Sequence, residues 1–421
     1  MDILLLTPQL PYPPHQGTSL RNFHIIRGLA ERHSVSLLSF LEPNQSIDEK
    51  DIRPLSTLCR TIETVPVPER TTGKRLQQLI TTRRPDMAHR LFSPAFNAKL
   101  RQLLTENQFD IVQIEGIELA RTIEIIRVVS PGSKIVFDNH NAETELQRRN
   151  FLTDLRLPRR WPAAAYSWLQ IGRLRRFERW ACLAADAVTA VSDTDREHLL
   201  AVSRWPLAVG RLRTTDYELR ITVIPNSIDV TQYETPPDEV IPFDLMFSGK
   251  MDYRPNVDAV LWFAAAVWPQ IKRERPSTTW AIVGQKPHPR LEPLRELDGV
   301  TITGGVESMA PYLHGAAVAI MPFRIGSGTR LKIIEAMAAQ KPIVSTPTGA
   351  EGFPVQHDRE LLLAKSVEEW ETAVLRLLNS PADCARLGRA ARQFVQNYDW
   401  RSVIPQFAAV YQQLKERQQQ I

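Results

Sequence analysis

Short apolar runs alternate with helix-length amphipathic segments along most of the chain. In the first half the runs are DILLLTP, SVSLLSF, DIVQIEG, KIVFDNHN, DAVTAVS and ITVIPNSID. In the second half the rhythm returns with FDLMFSGK, TTWAIVGQ, VTITGGV, AAVAIMPF, KPIVSTP and ELLLAK. Short apolar runs that end in turn-forming residues are typical of strands buried on both faces, and intervening helices make such sheets parallel. The two series predict an α/β protein with two doubly wound domains.

A proline-rich, acidic stretch separates the two series of strands. It reads YETPPDEVIPFD and predicts a hinge near Thr235 to Pro242. We therefore predict an N-terminal domain over residues 1–235 and a second domain over residues 236–399. The segment 400–421 has the pattern of a final helix that ends in a glutamine run.

The composition is that of a globular, cytoplasmic protein. Apolar residues make up 43% and charged residues 24% of the 421 positions, which excludes a disordered chain. The longest apolar run, Val260–Pro269, is far shorter than the ~20 residues that span a bilayer. The first residues lack the basic start and the long apolar core of a signal peptide. Three widely spaced cysteines indicate neither a disulfide framework nor a metal site.

Positive charge is concentrated in one segment. Between Arg148 and Trp180, nine arginines stand against Asp154 and Glu178, a net of +7, so the rest of the chain carries −2 of the total of +5. The segment also contains Trp161, Trp168 and Trp180. Basic residues interleaved with tryptophan suit the anionic inner face of a membrane, whereas no nucleic-acid motif accompanies the charge. The alternative is a solvated arginine-rich helix whose tryptophans pack inward.

Polar residues follow several predicted strands, where parallel sheets bind their ligands. If the two sheets face each other across the hinge, these residues converge on a cleft. His140 lies at such a strand end beside Asp138 and Glu143, a position that favours function over an ordinary structural histidine. Glu115 (after DIVQI), Asn139 and Glu143 are acceptor-side candidates on the same argument.

A glycine loop, IGSGTR, leads into a helix that carries a single acid. The loop matches neither the P-loop nor the dinucleotide pattern, but its small residues, the following helix and the charges of Arg330 and Lys332 suit a phosphate. Glu335 lies on or beside the apolar face of the helix, where a carboxylate needs donors nearby. A ribose diol would supply them; the alternative is an ion pair with Lys332.

The stretch PFRIGSGTRLKIIEAMAAQKPIVSTPTGAEG resembles the nucleotide-sugar signature of glycosyltransferase family 4, which has the GT-B fold. Further segments agree in order and spacing: PYPPHQGTSLRNFHIIRGLAERHSVSL, FDNHNAE, DAVTAVSDTDREHL, VIPNSID, FSGKMDYRPNVDAVLWF and NYDW. The resemblance implies two Rossmann-like domains facing each other across a cleft, with the last helix packed back toward the first. It also implies sugar transfer from a nucleotide-sugar, with retention at the anomeric carbon and without a metal or other cofactor.

The resemblance also assigns individual residues. Glu335 matches the acid that binds the ribose, and His140 matches the histidine near the reacting sugar. The remaining matches concern the donor phosphates: the loop glycine Gly17, the strand-ending Gly249 with Lys250, and the loop and helix start at Gly328, Thr329, Arg330 and Lys332. The family's second basic residue after Lys250 is missing, and Arg254 is the nearest candidate. Many members carry a further glutamate where this chain has Ser327. The donor sugar would then be contacted by the Ser327 hydroxyl or by the backbone at Ile325 and Gly326.

These features predict a hexosyltransferase that acts on a saccharide or lipid-linked acceptor in cell-surface or exopolysaccharide synthesis. Two alternatives share the architecture. One is a nucleotide-sugar 2-epimerase, against which the serine at position 327 counts. The other is a non-catalytic nucleotide-sugar-binding scaffold, against which the intact Glu335, Lys250 and His140 count.

Overall fold

The apolar runs of the sequence form strands of two parallel sheets. The computed structural model describes residues 1–14, 17–43, 45, 48–155, 158–204, 221–326 and 328–419. The chain separates into two units, Met1–Ser227 with Trp400–Ile421, and Ile228–Asp399. Each unit contains one of the sheets. The prediction of two doubly wound domains is therefore confirmed.

Within the described residues, the sheet of the first unit has seven strands. They are β1 (Asp2–Thr7), β2 (Ser34–Leu41), β3 (Thr61–Pro66), β4 (Ile111–Glu115), β5 (Lys134–Asn139), β6 (Ala187–Ala190) and β7 (Ile221–Val223). Their order is β3-β2-β1-β4-β5-β6-β7, and every neighbouring pair is parallel. The order changes direction between β1 and β4, which is where doubly wound sheets bind ligands.

Helices cover both faces of this sheet. They are α1 (Gly17–Ala30), α2 (Glu49–Ser56), α3 (Thr72–Thr81), α4 (Met87–Arg90), α5 (Pro94–Glu106), α6 (Thr122–Val129), α7 (Glu143–Leu155), α8 (Trp161–Ala184) and α9 (Asp193–Arg204). Six further helices belong to the second unit as the structure describes it: α10 (Arg254–Trp262), α11 (Trp268–Glu274), α12 (Ala310–Gly315), α13 (Leu331–Ala338), α14 (Val367–Asn379) and α15 (Pro381–Val395). The last helix, α16 (Trp400–Gln419), returns to the first unit. Across the described ranges, no helix combines the length and apolarity needed to cross a bilayer.

The core of the first unit has two parts, one on each face of the sheet. Leu4 and Leu6 of β1 join an apolar cluster that contains residues of α5, α6 and α8. Ile3 and Leu5 join a second cluster, completed by residues of α1 and α16. Gly28 in α1 permits the close approach of α16, because a Cβ there would lie 2.7 Å from Cγ2 of Ile404.

The second sheet repeats the topology of the first. Its described strands are β8 (Phe243–Ser248), β9 (Trp280–Val283), β10 (Val300–Gly304), β11 (Ala316–Met321), β12 (Ile343–Ser345) and β13 (Leu362–Leu363). They follow the order β10-β9-β8-β11-β12-β13, again with parallel pairs throughout. The change of direction therefore falls between β8 and β11.

The boundary between the units differs from the predicted hinge. It lies between Ser227 and Ile228, whereas the composition placed it near Thr235 to Pro242. The N–H of Ile228 donates to the carbonyl of Tyr398 at 3.0 Å. The N–H of Val230 likewise donates to Oδ2 of Asp399 at 3.0 Å. These bonds hold the start of the second unit to its end, so the proline-rich stretch lies inside that unit.

Candidate active site

A pocket lies in the second unit, where β8 and β11 end. Ser248 of β8 and Met321 of β11 line it from the sheet. Lys332 and Glu335 line it from α13, and Tyr233 closes another side. The glycine loop and helix singled out in the sequence therefore lead to a pocket at the switch point of this sheet.

Glu335 is half-buried and accepts a hydrogen bond at Oε1 from the Tyr233 hydroxyl, at 3.3 Å. Burial raises the pKa of Glu335, and the nearby Lys332 charge and the Tyr233 hydrogen bond oppose that rise. Burial and the Glu335 carboxylate also raise the pKa of Tyr233 well above its ordinary value. The side chain of Glu335 is thus a hydrogen-bond acceptor with little water around it.

The alternative ion pair between Glu335 and Lys332 is absent from the described residues. The Nζ of Lys332 instead donates to the Ser248 carbonyl at 2.5 Å and to Oδ1 of Asn256 at 3.1 Å. It also lies 4.5 Å from the ring of Phe247 and 4.9 Å from that of Phe323. Burial, together with the charge of Arg330, lowers the pKa of Lys332 to about 7. Lys332 is therefore an enclosed amine poised between its two protonation states near neutral pH.

The end of β8 brings Gly249 against this amine. Gly249 has a φ of +149°, and a Cβ there would lie 2.7 Å from both the Lys332 Nζ and the Asn256 Nδ2. Only glycine therefore fits at this position. The next residue, Lys250, is exposed, and its Nζ lies 3.8 Å from Asp252. Arg254 is half-buried at the first position of α10.

The glycine loop itself is only partly described. Ser327 lies outside the described residues, whereas Gly328 is buried, and Thr329 and Arg330 are half-buried. The Arg330 guanidinium donates to the Gly328 carbonyl at 3.0 Å and lies 4.8 Å from the ring of Phe323. Arg330 therefore braces its own loop.

In the first unit, His140 lies directly after β5 with 16% of its side chain exposed. Its Nε2 is 2.8 Å from Oε2 of Glu115, at the end of β4, and 3.5 Å from Oδ2 of Asp138. Burial lowers the pKa of His140, but its hydrogen bonds with Asp138 and Glu115 outweigh burial and raise the pKa to about 9. The ring is therefore an imidazolium at neutral pH. Glu115, predicted on the acceptor side, is buried against this histidine.

Arg21 of α1 neutralises the same cluster. Its guanidinium makes two hydrogen bonds to Asp138, at 2.8 and 2.9 Å, and also donates to the carbonyls of Ile224 and Pro225. Burial raises the pKa of Asp138, but Arg21 and His140 outweigh it and hold that pKa well below its usual range. The ligand atoms of Glu115, Asp138 and His140 lie within 4.8 Å of one another, close enough to hold a metal ion. Because Arg21 and the imidazolium already occupy these carboxylates, the cluster is better suited to two cations of the protein than to a metal.

The other acceptor-side candidates lie around the start of α7. Glu178 is buried and accepts from Nδ2 of Asn139 at 3.3 Å and from the N–H groups of Glu143 and Thr144, at 2.9 and 3.3 Å. Asn139 therefore supports a buried carboxylate that caps α7. Burial, with the charges of Glu118 and Glu178, raises the pKa of Glu143 to about 8. Gly17 is exposed at the first position of α1, and the two residues before it lie outside the described ranges.

Sequence reasoning missed three residues that complete these sites: Arg21, Tyr233 and Asn256. Arg21 carried a usable signal, because a charge on the buried face of α1 needs a partner just as Glu335 does. Tyr233 lies in the stretch that the prediction gave to the first domain. Asn256 follows a proline at the start of α10, where its sequence suggests only a helix start.

Comparison with known sequences gives two matches along the chain. The profile described as Glycosyltransferase Family 4 matches residues 16–232, and the one described as Glycosyl transferases group 1 matches residues 242–380. A curated relative, an uncharacterized 44.6 kDa protein in the cps region of Klebsiella pneumoniae, is 24% identical over 180 residues. That match covers 40% of this chain and 45% of the relative.

Solved structures share the fold over nearly the whole chain. Sucrose-phosphate synthase from Thermosynechococcus elongatus has a TM-score of 0.69 and 18% identity, and the match covers 99% of this chain and 100% of that one. HepE from Anabaena, in complex with UDP, has a TM-score of 0.65 and 16% identity, with 98% and 100% covered. These likenesses confirm two Rossmann-like domains of the GT-B type. Since the profile over residues 16–232 spans more than half of the sequence, the chain belongs to glycosyltransferase family 4.

Proposed function

We propose that the protein transfers a hexose from a nucleotide-sugar donor to a saccharide or lipid-linked acceptor, with retention at the anomeric carbon. The observation that carries the proposal is that Glu335 and Lys332 both line the pocket of the second unit, where the described residues show no ion pair between them. A carboxylate accepts two hydroxyl donors, as a ribose diol presents them, and an ammonium one turn earlier suits a diphosphate. Since the two side chains are not paired, each is available for its own part of the donor, Glu335 for the ribose and Lys332 for the diphosphate.

The second carboxylate oxygen of Glu335 supports the ribose assignment. Oε1 of this side chain accepts from Tyr233, and no contact among the described residues gives Oε2 a donor. Oε2 is not one of the enclosed oxygens of the described residues, so a ligand hydroxyl can reach it and form a charge-assisted hydrogen bond. Tyr233 would then hold the carboxylate in place while a ribose hydroxyl binds the other oxygen.

The groups around the donor diphosphate would stabilise it as it departs. The bond between the anomeric carbon and the phosphate oxygen breaks, and the departing diphosphate gains charge that fixed cations and N–H groups stabilise. Lys332, the exposed Lys250 and the backbone at Gly328 and Thr329 are the proposed contacts. The acceptor oxygen bonds to the anomeric carbon on the same face, and its proton passes to the departing phosphate. This scheme calls for no metal or other cofactor.

His140 is the proposed contact of the first unit with the transferred sugar. As an imidazolium it donates hydrogen bonds, so its role is to orient and stabilise rather than to remove a proton. The relative in a cps region supports an acceptor in cell-surface polysaccharide synthesis. A lipid-linked acceptor would bring the protein to a membrane surface.

A surface of the first unit suits such a membrane. We use the name three-helix surface for a set of exposed apolar and basic residues of α3, α7 and α8: Leu76, Ile80, Arg148, Leu152, Leu155, Trp161, Trp168 and Arg176. Trp161 and Trp168 are 58% and 67% exposed, whereas Trp180 stacks on Phe177 and packs inward. On α3, Leu76 and Ile80 are 59% and 77% exposed, and no residue of that helix is buried. The alternative, in which the tryptophans of this segment pack inward, therefore fails for Trp161 and Trp168. Anionic lipid is the proposed partner of this surface.

Calorimetry with a panel of UDP-, GDP- and ADP-sugars tests the donor site. UDP-sugars come first, because HepE of Anabaena was crystallised with UDP-glucose. We expect one donor to bind without added metal and Glu335→Gln to weaken it about tenfold or more, in line with the loss of a charged hydrogen bond. Glu292→Gln, whose side chain is 64% exposed in the same unit, is the control. Equal affinities of the wild type and Glu335→Gln would overturn the assignment of Glu335. Absence of binding to every donor would overturn the proposed function and indicate an inactive scaffold that has lost its donor.

A further inference from the structure

A chain of three hydrogen bonds connects the last helix to His140. The Tyr411 hydroxyl on α16 donates to Oε1 of Gln113. Nε2 of Gln113 donates to Oε1 of Glu115 at 2.5 Å. The other oxygen of Glu115 lies 2.8 Å from Nε2 of His140. Tyr411, Gln113 and Glu115 are fully buried, so water does not compete for these bonds.

The direction of each bond follows from the chemistry of the groups. Burial and the charge of Asp138 raise the pKa of Glu115, whereas His140 and Arg21 favour its ionised form. In that form Glu115 accepts from the amide nitrogen of Gln113 and not from its oxygen. The amide oxygen then points away from Glu115 and needs a donor, which the Tyr411 hydroxyl provides. With one oxygen of Glu115 occupied by Gln113, the other is left for the N–H of His140.

This arrangement decides which nitrogen of His140 is available. Nε2 is held by Glu115 with Asp138 beside it, whereas no hydrogen bond among the described residues involves Nδ1. Glu115 of β4 and Asp138 of β5 lie against Nε2 of the ring, and Arg21 of α1 pairs with Asp138. Glu118 lies on the Nδ1 side, because a Cβ at Gly116 would lie 3.1 Å from its Oε2 and 4.0 Å from Nδ1 of His140. The carboxylates of Glu115 and Asp138 keep the ring protonated, so Nδ1 carries a hydrogen that it can donate.

We propose that Tyr411 is a positioning residue for His140, which acts through Gln113 and Glu115 to present the Nδ1–H to an oxygen of the donor sugar or its phosphate. The proposal rests on the proposed function for the identity of that oxygen. The chain of bonds itself does not depend on it. The last helix thus contributes both to the core of the first unit and to the orientation of its candidate catalytic ring.

The test combines nitrogen NMR of the His140 ring with transfer kinetics. Tyr411→Phe removes only the hydroxyl and keeps the buried ring. We expect its His140 to lose the uniform Nε2–H form above about pH 9. We also expect kcat to fall about tenfold and donor affinity to fall by less, as for other groups that orient a reacting side chain. Gln113→Met removes the hydrogen bonds of Gln113 with Tyr411 and Glu115, and its His140 ring signals should match those of Tyr411→Phe. Tyr166→Phe, a hydroxyl deletion on α8 away from the site, should change neither.

A double-mutant cycle separates positioning from packing. In a Glu115→Gln background the path to His140 is already broken, so adding Tyr411→Phe should change the ring signals and kcat by less than about twofold. Independent, multiplicative effects of the two substitutions would overturn the proposal, as would unchanged His140 signals in Tyr411→Phe. If no transfer is found with any donor while the ring signals respond as expected, the proposed function fails and the positioning role stands.

Discussion

At the residue scale, burial decides what the basic side chains of the second unit do. The sequence places Arg330, Lys332 and Lys250 around one loop and cannot rank them. In the structure Arg330 braces its loop, Lys250 is exposed and Lys332 is enclosed between two aromatic rings. Burial brings the pKa of Lys332 to about 7, and this gives it a measurable signature.

We expect donor binding to take up a proton through Lys332. Its pKa of about 7 leaves the free amine largely neutral near pH 8, whereas a bound diphosphate raises the pKa and restores the charge. Donor affinity should therefore fall as the pH rises above 7. Calorimetry near pH 8 in phosphate and in Tris buffer measures the uptake, because the apparent enthalpy shifts with the ionisation enthalpy of the buffer.

Lys332→Arg is the matched control for this linkage. Arginine remains charged at every pH used, so its variant should bind without proton uptake and with a flat affinity between about pH 7 and pH 9. Identical enthalpies of the wild type in the two buffers would show that Lys332 does not contact the phosphates. Glu335, whose pKa is raised by burial, would release rather than take up a proton on binding, so the sign separates the two groups.

Single residues could be predicted from the sequence where they broke a local pattern. Glu335 stood out as an acid on an apolar helix, and His140 as a histidine at a strand end. The partners Tyr233 and Arg21 could not be assigned, because each lies about a hundred residues away along the chain from the carboxylate that it contacts. Such pairs depend on the topology of the sheet rather than on local sequence.

At the element scale, apolar runs predicted every described strand except β3, at the edge of the first sheet. The other edge strands, β7, β10 and β13, do carry apolar runs. β3 reads TIETVP, and its polar residues leave no run, because most of its side chains are only half-buried. α3 is the helical counterpart: it has an apolar side, but the structure buries none of its residues.

The exposed side of α3 leads to a prediction about membranes. Ile80→Asp should reduce partitioning to vesicles of phosphatidylcholine and phosphatidylglycerol by about tenfold, since losing a partly inserted apolar side chain costs roughly 1–2 kcal/mol. Sedimentation with the vesicles measures this partitioning. Ile80 is 77% exposed, so the substitution leaves the core intact.

Val128→Asp on α6 is the matched control, because Val128 is 75% exposed and lies outside the three-helix surface. It should leave vesicle binding unchanged. If both variants lost vesicle binding equally, the added negative charge, and not the lost apolar side chain, would explain the loss. Wild-type binding that is as strong to pure phosphatidylcholine would contradict the role of the arginines.

At the scale of the whole molecule, the first unit is discontinuous in sequence. α16 adds Trp400, Val403, Ile404, Phe407, Val410, Tyr411 and Leu414 to the core on one face of the first sheet. The helical spacing of these residues made the helix predictable. The exact division of the chain was not, because two hydrogen bonds near Asp399 rather than composition fix it.

Phe407→Ala should destabilise the first unit by about 3–5 kcal/mol, because it removes a fully buried aromatic side chain. Arg21 also packs over this ring, at 5.3 Å, so the cluster around Asp138 should loosen with it. Hydrogen exchange followed by mass spectrometry measures the effect, with faster exchange expected in β1 and β2 and unchanged exchange in β8 and β9.

Phe263→Ala, at a fully buried position of the second unit, provides the reciprocal control. It should accelerate exchange in β8 and β9 and spare β1 and β2. Equal acceleration of both sheets by Phe407→Ala would mean that the two units unfold as one.

The discontinuity of the first unit has a consequence for synthesis. A ribosome completes the strands of the first sheet long before it makes the helix that covers Ile3, Leu5 and Val35. The second unit, Ile228–Asp399, is one uninterrupted stretch and emerges whole before that helix. Because domains fold as units during translation, we expect the second unit to complete its folding first, although it comes second in the sequence. In the nascent chain, the hydrogen bond from Tyr411 to Gln113, which supports the position of His140, would then be among the last to form.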